Sequence, residues 1–195
     1  MQYQSSSVYL DDPFEQRGDI KEKWVFGEMI EIVGADTLVV PISSTQKFQE
    51  KETKATRNYL FIHSDDRTFS RLFDKNDFVI QEFSTLTKNG KVDEDLHTIP
   101  ICLYFVVYKT DTNKDKAIKI GDKATVALSK LDGSGYVEIE HDIDDVKSPV
   151  VLQEGSQLVL FYRKETNFYI SKYDLNEFKK ITERQIPIEH MPHLE

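Results

Sequence analysis

Residues 101–131 read ICLYFVVYKTDTNKDKAIKIGDKATVALSKL, two short runs rich in β-branched and aromatic residues around a polar loop. Residues 101–109 and 123–131 suit a pleated, half-buried surface, and neither carries the 3.6-residue apolar period of an amphipathic helix. The loop is therefore expected to join two strands. The same rhythm extends in both directions. Upstream, apolar-rich runs at 24–33, 37–43, 57–63, 68–73 and 78–87 alternate with turn signals such as Gly34-Ala35-Asp36 and Asn89-Gly90. Downstream the runs fall at 136–143, 149–153, 157–163, 167–173 and 178–188. About a dozen strands and no amphipathic helix predict an all-β fold of antiparallel sheets. The polar tract TQKFQEKETKA at 45–55 reads as a long loop or a helical turn.

Inside the loop at 111–122, oxygen-bearing side chains stand at the first, third, fifth and twelfth positions: Asp111, Asn113, Asp115 and Asp122. The Ala117 carbonyl falls at the seventh. That spacing is the oxygen ladder of an EF-hand calcium loop, because a hard divalent cation takes several oxygen ligands. The expected cofactor is therefore calcium, stiffening a hairpin, with Ile118 pinning the loop by a small apolar contact. Lys116 stands where such loops place Gly for a positive φ, and Asp122 is shorter than the usual bidentate Glu. Lys114, Lys116 and Lys119 also dilute the negative charge. The expected affinity is accordingly weak, roughly 10⁻⁴ to 10⁻³ M. The competing reading is an Asp/Asn-rich hairpin loop with no metal.

The 195 residues fit one domain with its own hydrophobic core, expected over 23–190, with a polar leader at 1–22 and a tail at 191–195. Acidic residues outnumber basic ones by 34 to 25, so a nucleic-acid partner has no electrostatic footprint. Cys102 is the single cysteine; it has no internal disulfide partner and is expected to pack in the core. No apolar stretch reaches the ~18–20 residues of a membrane span. The closing Leu194-Glu195 resembles a vector-encoded dipeptide. An export signal outside this sequence would suit a loop tuned to millimolar calcium, so the expected location is the bacterial periplasm or cell envelope.

An internal repeat runs through the chain: LFIHSD at 60–65, ALSKLD at 127–132 and YISKYD at 169–174 each end a run in Asp before a turn. The last belongs to a unit of four short runs within 149–188, the length and strand number of one propeller blade. The sequence DTNKDK, followed by SKLDGSGY, VVLQEGSQLVLFYRK and NFYISKYDL, resembles the blade units of TolB-like β-propellers, in which an Asp/Asn-rich calcium-type loop can join a strand pair. The resemblance covers residues 101–188 and, in part, 57–73. It implies a propeller-like, extracytoplasmic, lipid-anchored bacterial protein of scaffold or binding type. About three four-stranded units can be parsed, at 24–73, 78–143 and 145–188, whereas closed propellers have at least four blades. The expectation is therefore either a ring completed by a second chain or an open, sandwich-like β stack.

No catalytic set stands out. Gly133-Ser134-Gly135 lacks the five-residue pattern of a nucleophile elbow and reads, with Asp132, as a hairpin turn. The histidines, His63, His97, His141, His190 and His193, are scattered. Asp142, Asp144 and Asp145 read as a charged turn, and Glu138 and Glu140 as a solvated strand face. Among the tyrosines, Tyr108, Tyr162 and Tyr173 are expected at a surface. Together these features predict a non-enzymatic β-propeller-like binding or scaffold domain with a protein or glycan partner and a structural calcium loop. The alternative is a glycan- or peptide-acting hydrolase or lyase whose centre the sequence does not reveal. A homodimer through sheet edges is a third reading.

Overall fold

The computed structural model of the chain describes residues 23–48, 51–63, 68–92 and 95–187. The expected leader at 1–22 and tail at 191–195, with His190 and His193, lie outside the described residues. Every strand pair is antiparallel, and the described residues contain no α-helix, only a 3₁₀ turn at Gln153–Gly155. The large sheet holds β1 (Lys23–Phe26), β2 (Ile30–Ile32), β3 (Thr37–Phe48), β4 (Lys51–His63), β5 (Phe69–Arg71), β6 (Val79–Val92), β7 (Asp95–Tyr108), β8 (Ala124–Ser129) and β9 (Val137–Ile143). Its order is β1-β3-β4-β6-β7-β8-β9, with β2 on β3 and β5 on β4. The small sheet holds β10 (Asp145–Val146), β11 (Val150–Leu152), β12 (Gln157–Lys164), β13 (Asn167–Asp174) and β14 (Lys179–Ile186), ordered β10-β12-β13-β14 with β11 on β12.

The run that opened the sequence reading, residues 102–108, is buried at every position. Side chains alternate across a strand, so full burial means that both faces of β7 are covered. Cys102, Tyr104, Val106 and Tyr108 enter a core shared with Leu158, Leu160, Tyr162 and Tyr173 of the small sheet. Leu103, Phe105 and Val107 enter a second core with Ile32, Val39, Tyr59 and Phe61. On that side the large sheet curls until the β8–β9 turn reaches β4: a Cβ added at Gly133 would lie 2.6 Å from the Phe61 ring. Neither sheet closes on itself. β4 and β6 share a single register pair, Thr56↔Ile80.

The four runs expected within 145–188 are present as β11 to β14 of the small sheet, which β10 extends to five strands. The other two expected units, 24–73 and 78–143, are instead parts of one continuous sheet through the β4–β6 and β7–β8 pairings. The described parts of the tract at 45–55, residues 45–48 and 51–55, are neither loop nor helical turn. Its ends are the arms of the β3–β4 hairpin, with Thr45↔Lys54 and Lys47↔Glu52 in register. Likewise Asn89-Gly90 does not turn, and pairs with Thr98 and His97 inside a fourteen-residue strand. In both hairpins the strands continue beyond the apolar runs, with polar residues held in cross-strand register.

β9 passes directly into β10, so one strand leaves the large sheet and enters the small one, with Asp144 at the corner. Its carboxylate accepts a hydrogen bond from Lys123 Nζ at 2.6 Å and one from the Glu165 backbone N–H, and its own N–H donates to the Arg163 carbonyl. Asp145 pairs with Lys147 at 2.7 Å, and Asp142 sits in a bulge at φ +56°. The three aspartates are thus corner and bulge residues, as their turn reading anticipated.

The bulges in β9 also correct the reading of Glu138 and Glu140. Register shifts set Glu138 opposite Ala127 but Glu140 opposite Val126, which sends the two carboxylates to opposite faces. Glu138 pairs with Lys109 at the surface. Glu140 is 4% exposed and lies between the sheets. Its carboxylate accepts hydrogen bonds from Lys164 Nζ (2.6 Å), Lys180 Nζ (2.6 Å), Tyr162 OH (3.0 Å) and Tyr173 OH (2.5 Å). Lys180 also reaches Glu183 at 2.6 Å, so two carboxylates face two ammonium groups. The Tyr162 hydroxyl, with one proton, donates to Glu140 or Glu183 while Ser171 Oγ, at 2.9 Å, can donate to it. Tyr162 and Tyr173, expected at a surface, are therefore core residues with satisfied hydroxyls. Tyr108 is buried as well and donates to Gln81 at 2.5 Å.

Burial pushes the Glu140 carboxyl up, but the bonds from Lys164, Lys180 and Tyr173 outweigh it and hold it down to about 2, below its ordinary 4.5. A folded-state value below the unfolded one means that this contribution to stability is complete above about pH 4.5 and drains as pH falls toward 2. Glu183, held low chiefly by Lys180 and Tyr162, adds with the same sign. Melting temperature is expected to fall through this window. Glu140→Gln leaves Lys164 without its anion and Lys180 with Glu183 alone, and is expected to lower stability by about 2–3 kcal/mol at neutral pH and to make the acid dependence shallower. Urea unfolding at pH 7 and pH 3 checks this; a variant as stable as the parent at pH 7 would remove Glu140 as the link between the sheets.

Candidate functional site

The loop read as a calcium site is closed by its own hydrogen bonds. Asp122, 4% exposed, accepts at Oδ1 from Thr112 N (2.8 Å), Thr112 Oγ1 (3.1 Å) and Asn113 N (3.2 Å), and at Oδ2 from Lys119 N (3.0 Å). Burial raises the Asp122 carboxyl, and these donors outweigh burial and bring it below the usual range. Thr112 Oγ1 in turn accepts the Lys123 N–H at 2.8 Å, a clasp residue that the ladder spacing did not single out. On the exposed limb, Asp111 accepts from the Asp115 and Lys116 N–H groups, Asn113 Oδ1 from Asp115 N, and Asp115 Oδ1 from Ala117 N. Lys116 takes φ +74°, the conformation that calcium loops assign to Gly at this position. Ile118 packs against the first core, as expected.

Two features separate this arrangement from a calcium shell. The twelfth-position ligand is spent on backbone donors, since three donors already crowd one oxygen with two lone pairs. The second is a resident cation: the Lys119 ammonium is paired with Asp115, and that pairing holds the Asp115 carboxyl below its usual range. Among the described residues, no three His, Cys, Asp or Glu side chains converge as a metal centre requires. Asp111, Asn113, Asp115 and Asp122 are each engaged by the loop's own backbone donors.

A second place in the fold gathers chemistry that the sequence left scattered. A cleft of roughly 670 Å³ opens where three turns meet: the β2–β3 turn with Ala35, Asp36 and Thr37, the β8–β9 turn with Lys130, Leu131, Asp132 and Gly135, and the β13–β14 turn at 175–178. His63, at the end of β4, and Ile101 of β7 complete it. The first two turns belong to the large sheet and the third to the small one. Local chemistry fixes each turn. Ala35 N donates to the Ile32 carbonyl at 3.0 Å. Gly133, at φ +81°, closes the second turn by donating to the Lys130 carbonyl, while Asp132 Oδ1 accepts the Ser134 N–H at 2.9 Å. Asp174 Oδ1 accepts the Asn176 and Glu177 N–H groups, and Leu175 N donates to the Ser156 carbonyl.

Asp132 is an ionised carboxylate at neutral pH: burial raises it, but the Ser134 bonds and the nearby His63 and Lys130 bring it below its usual range. Glu177 pairs at 2.8 Å with the exposed Lys179. Phe178 takes φ +54° while lining the cleft. An aromatic residue in the left-handed region is an outlier, and such strain tends to mark ligand-contacting positions. His63 Nε2 lies 3.4 Å from Ser70 Oγ, the nearest approach to a base and nucleophile pair at the cleft. The hydrogen bond of Asp132 goes to the Ser134 backbone, so an orienting contact to His63 is not what holds it. Each turn was legible in the sequence, but only the fold brings residues near positions 36, 132 and 177 together.

A loop that carries its own clasp and cation should be insensitive to calcium. Asp122→Ala removes the acceptor for four donors and is expected to cost about 2–3 kcal/mol, whereas millimolar calcium should leave the melting temperature of the parent unchanged. Melting scans with calcium and with a chelator decide it; a calcium-dependent rise abolished by Asp111→Ala with Asp115→Ala would restore the metal reading. No family model, curated protein or solved structure matches this chain.

Proposed function

We propose that the chain is a non-enzymatic binding or scaffold domain that works through the cleft between its two sheets. The observation that carries this reading is the make-up of the cleft: turns of both sheets surround it, apolar side chains (Ile101, Leu131, Leu175) lie beside polar ones (Asp36, Asp132, Glu177), and a strained Phe178 stands among them. Binding sites commonly combine an apolar lining with a few convergent polar groups. In this reading the Asp111–Asp122 loop is a hairpin brace that holds its shape without a metal. The open stack of two sheets serves as the scaffold, and no closed propeller ring is needed. The partner expected from the sequence, a protein or a glycan, meets the cleft from solvent.

One observation favours the hydrolase alternative, the 3.4 Å contact between Ser70 Oγ and His63 Nε2 with Asp132 near enough to feel the histidine. Both partners of that contact are accessible and the distance is long for an activated nucleophile. A fluorophosphonate probe is expected to leave Ser70 unlabelled; stoichiometric labelling lost in Ser70→Ala would overturn the non-enzymatic reading. The binding reading itself is tested by ¹⁵N–¹H correlation spectra against a panel of neutral oligosaccharides and of acidic, neutral and basic peptides. At least one probe class is expected to move resonances of all three turns together, at 35–37, 130–135 and 175–178. A panel that moves none of them would sink it.

A further inference from the structure

We propose that the outer edge of β14 accepts an extended, acidic segment of a partner protein as an added strand, an interaction separate from the cleft. β14 ends the small sheet, and among the described residues no strand pairs with its far side. Alternate residues of such a strand point both N–H and C=O outward, which leaves main-chain donors and acceptors free to take a further strand. The other edges are blunted by length or irregularity: β1, β2, β5, β10 and β11 have two to four residues, and β9 is broken by two register shifts. β14 has eight residues, KKITERQI, with neither proline nor glycine, and its register is unbroken from Thr182 to Ile186. All of them but Ile186 are exposed.

Side chains select the kind of strand. Arg184 stands beside the exposed Ile170, and Ile186 beside Phe168, which stacks on Phe161 at 5.7 Å. Among the described residues, neither the Arg184 guanidinium nor the ammonium of Lys172, one row along beside Thr182, has a hydrogen-bond or ion-pair partner. Lys179 and Lys180 are already answered, by Glu177 and by Glu140 and Glu183. An added strand brings its side chains to about 5 Å from those opposite on the same face, so an acid across from Arg184 and an apolar residue across from Ile186 meet complementary groups. A second copy does not fit. Antiparallel self-pairing about Thr182 sets Lys180 opposite Arg184, about Glu183 sets that carboxylate against itself, and about Arg184 sets two guanidinium groups together. Like charges directly opposite each other destabilise a strand pair, and a basic segment meets Arg184 with the same sign. The formal charge of −9 does not forbid an acidic segment, because screening over about 8 Å leaves Arg184 and Lys172 as the near field.

The test uses the full chain and a capped peptide, Gly-Ser-Thr-Val-Thr-Glu-Thr-Val-Thr-Ser-Gly, whose core reads alike in both directions. Correlation spectra of the ¹⁵N-labelled chain are expected to show this peptide shifting resonances at 182–186 and 168–172 while those at 35–37 and 130–135 stay in place, which separates this edge from the cleft. Lysine in place of the peptide's glutamate should weaken binding about tenfold, the difference between an attractive and a repulsive cross-strand pair. Arg184→Glu, whose dispersed parent-like spectrum checks its folding, should reverse the order of the two peptides. Proline at the two threonines beside the glutamate removes backbone donors and should abolish binding. Equal affinity for the glutamate and lysine peptides would overturn the acidic assignment. A proline peptide, or N-acetylglutamate amide, that binds as tightly as the first peptide would overturn strand addition. Shifts confined to the cleft turns, or none at 182–186 with any peptide, would overturn the site, and a concentration-dependent dimer whose interface maps to β14 would put a second copy there instead.

Discussion

Residues 102–108 of β7 have no solvent face, and most of the architecture follows from that constraint. A strand with large side chains on both sides must be covered twice, and a single chain can do so only by placing one layer on each face. The chain covers the even-numbered face of residues 102–108 with the small sheet and the odd-numbered face by curling the large sheet over it. The two solutions are joined physically, because the strand that leaves β8 becomes β9 and then β10. The same backbone therefore ends one layer and begins the other. Pulling the small sheet away would expose Tyr104, Leu128, Ile143 and Leu160 together, a loss on the order of several kcal/mol at 1.5–3 kcal/mol for each large side chain.

An apolar interface of this kind tolerates sliding unless something fixes its register, and the Glu140 cluster can do so. A buried carboxylate is costly without partners, and Glu140 finds four of them on three strands of the opposite sheet, β12, β13 and β14. Displacing the sheets by one residue would strip the buried Glu140 of its partners, while Lys180 kept Glu183 on its own strand. The cluster is thus a specificity device as much as a source of stability. It depends on the β9 bulges, because without them Glu140 would share a face with Glu138.

What the sequence disclosed divides along the same physical lines. Elements set by local chemistry were readable: the β7 and β8 runs, the Asp132-Gly133 turn, the final four-stranded unit and the pinning of Ile118 all follow from nearby residues. What depended on a partner sheet was not. Strict alternation assigned Glu140 to solvent, because a bulge shifts register without any distinctive residue in VEIEHDI. Tyr162 and Tyr173 look amphipathic in sequence and are buried because a carboxylate from another sheet satisfies their hydroxyls. The polar arms of the β3–β4 and β6–β7 hairpins were missed because cross-strand pairing, and not composition, keeps them extended. The cleft was invisible for the strongest reason, since its three turns are separated by about ninety and about forty residues of chain and no local pattern encodes their meeting.

The loop at 111–122 and the cleft place carboxylates in contrasting situations, and the contrast bears on where function can reside. In the loop, backbone N–H groups and Lys119 consume the negative charge, so the acids build a shape and leave little field for a ligand. Among the cleft carboxylates, Asp132 gives one oxygen to Ser134 and lies near His63 and Lys130, and Glu177 holds a solvent-exposed lysine. An acid that is structurally committed resists a newcomer because the newcomer must first replace what the fold supplies. An acid held rigidly at a turn, with its charge only loosely answered, is already oriented and loses little on meeting a cation. Apolar and polar side chains from turns of both sheets line the cleft at the boundary between the sheets, and for that reason the binding reading rests on the cleft and not on the loop.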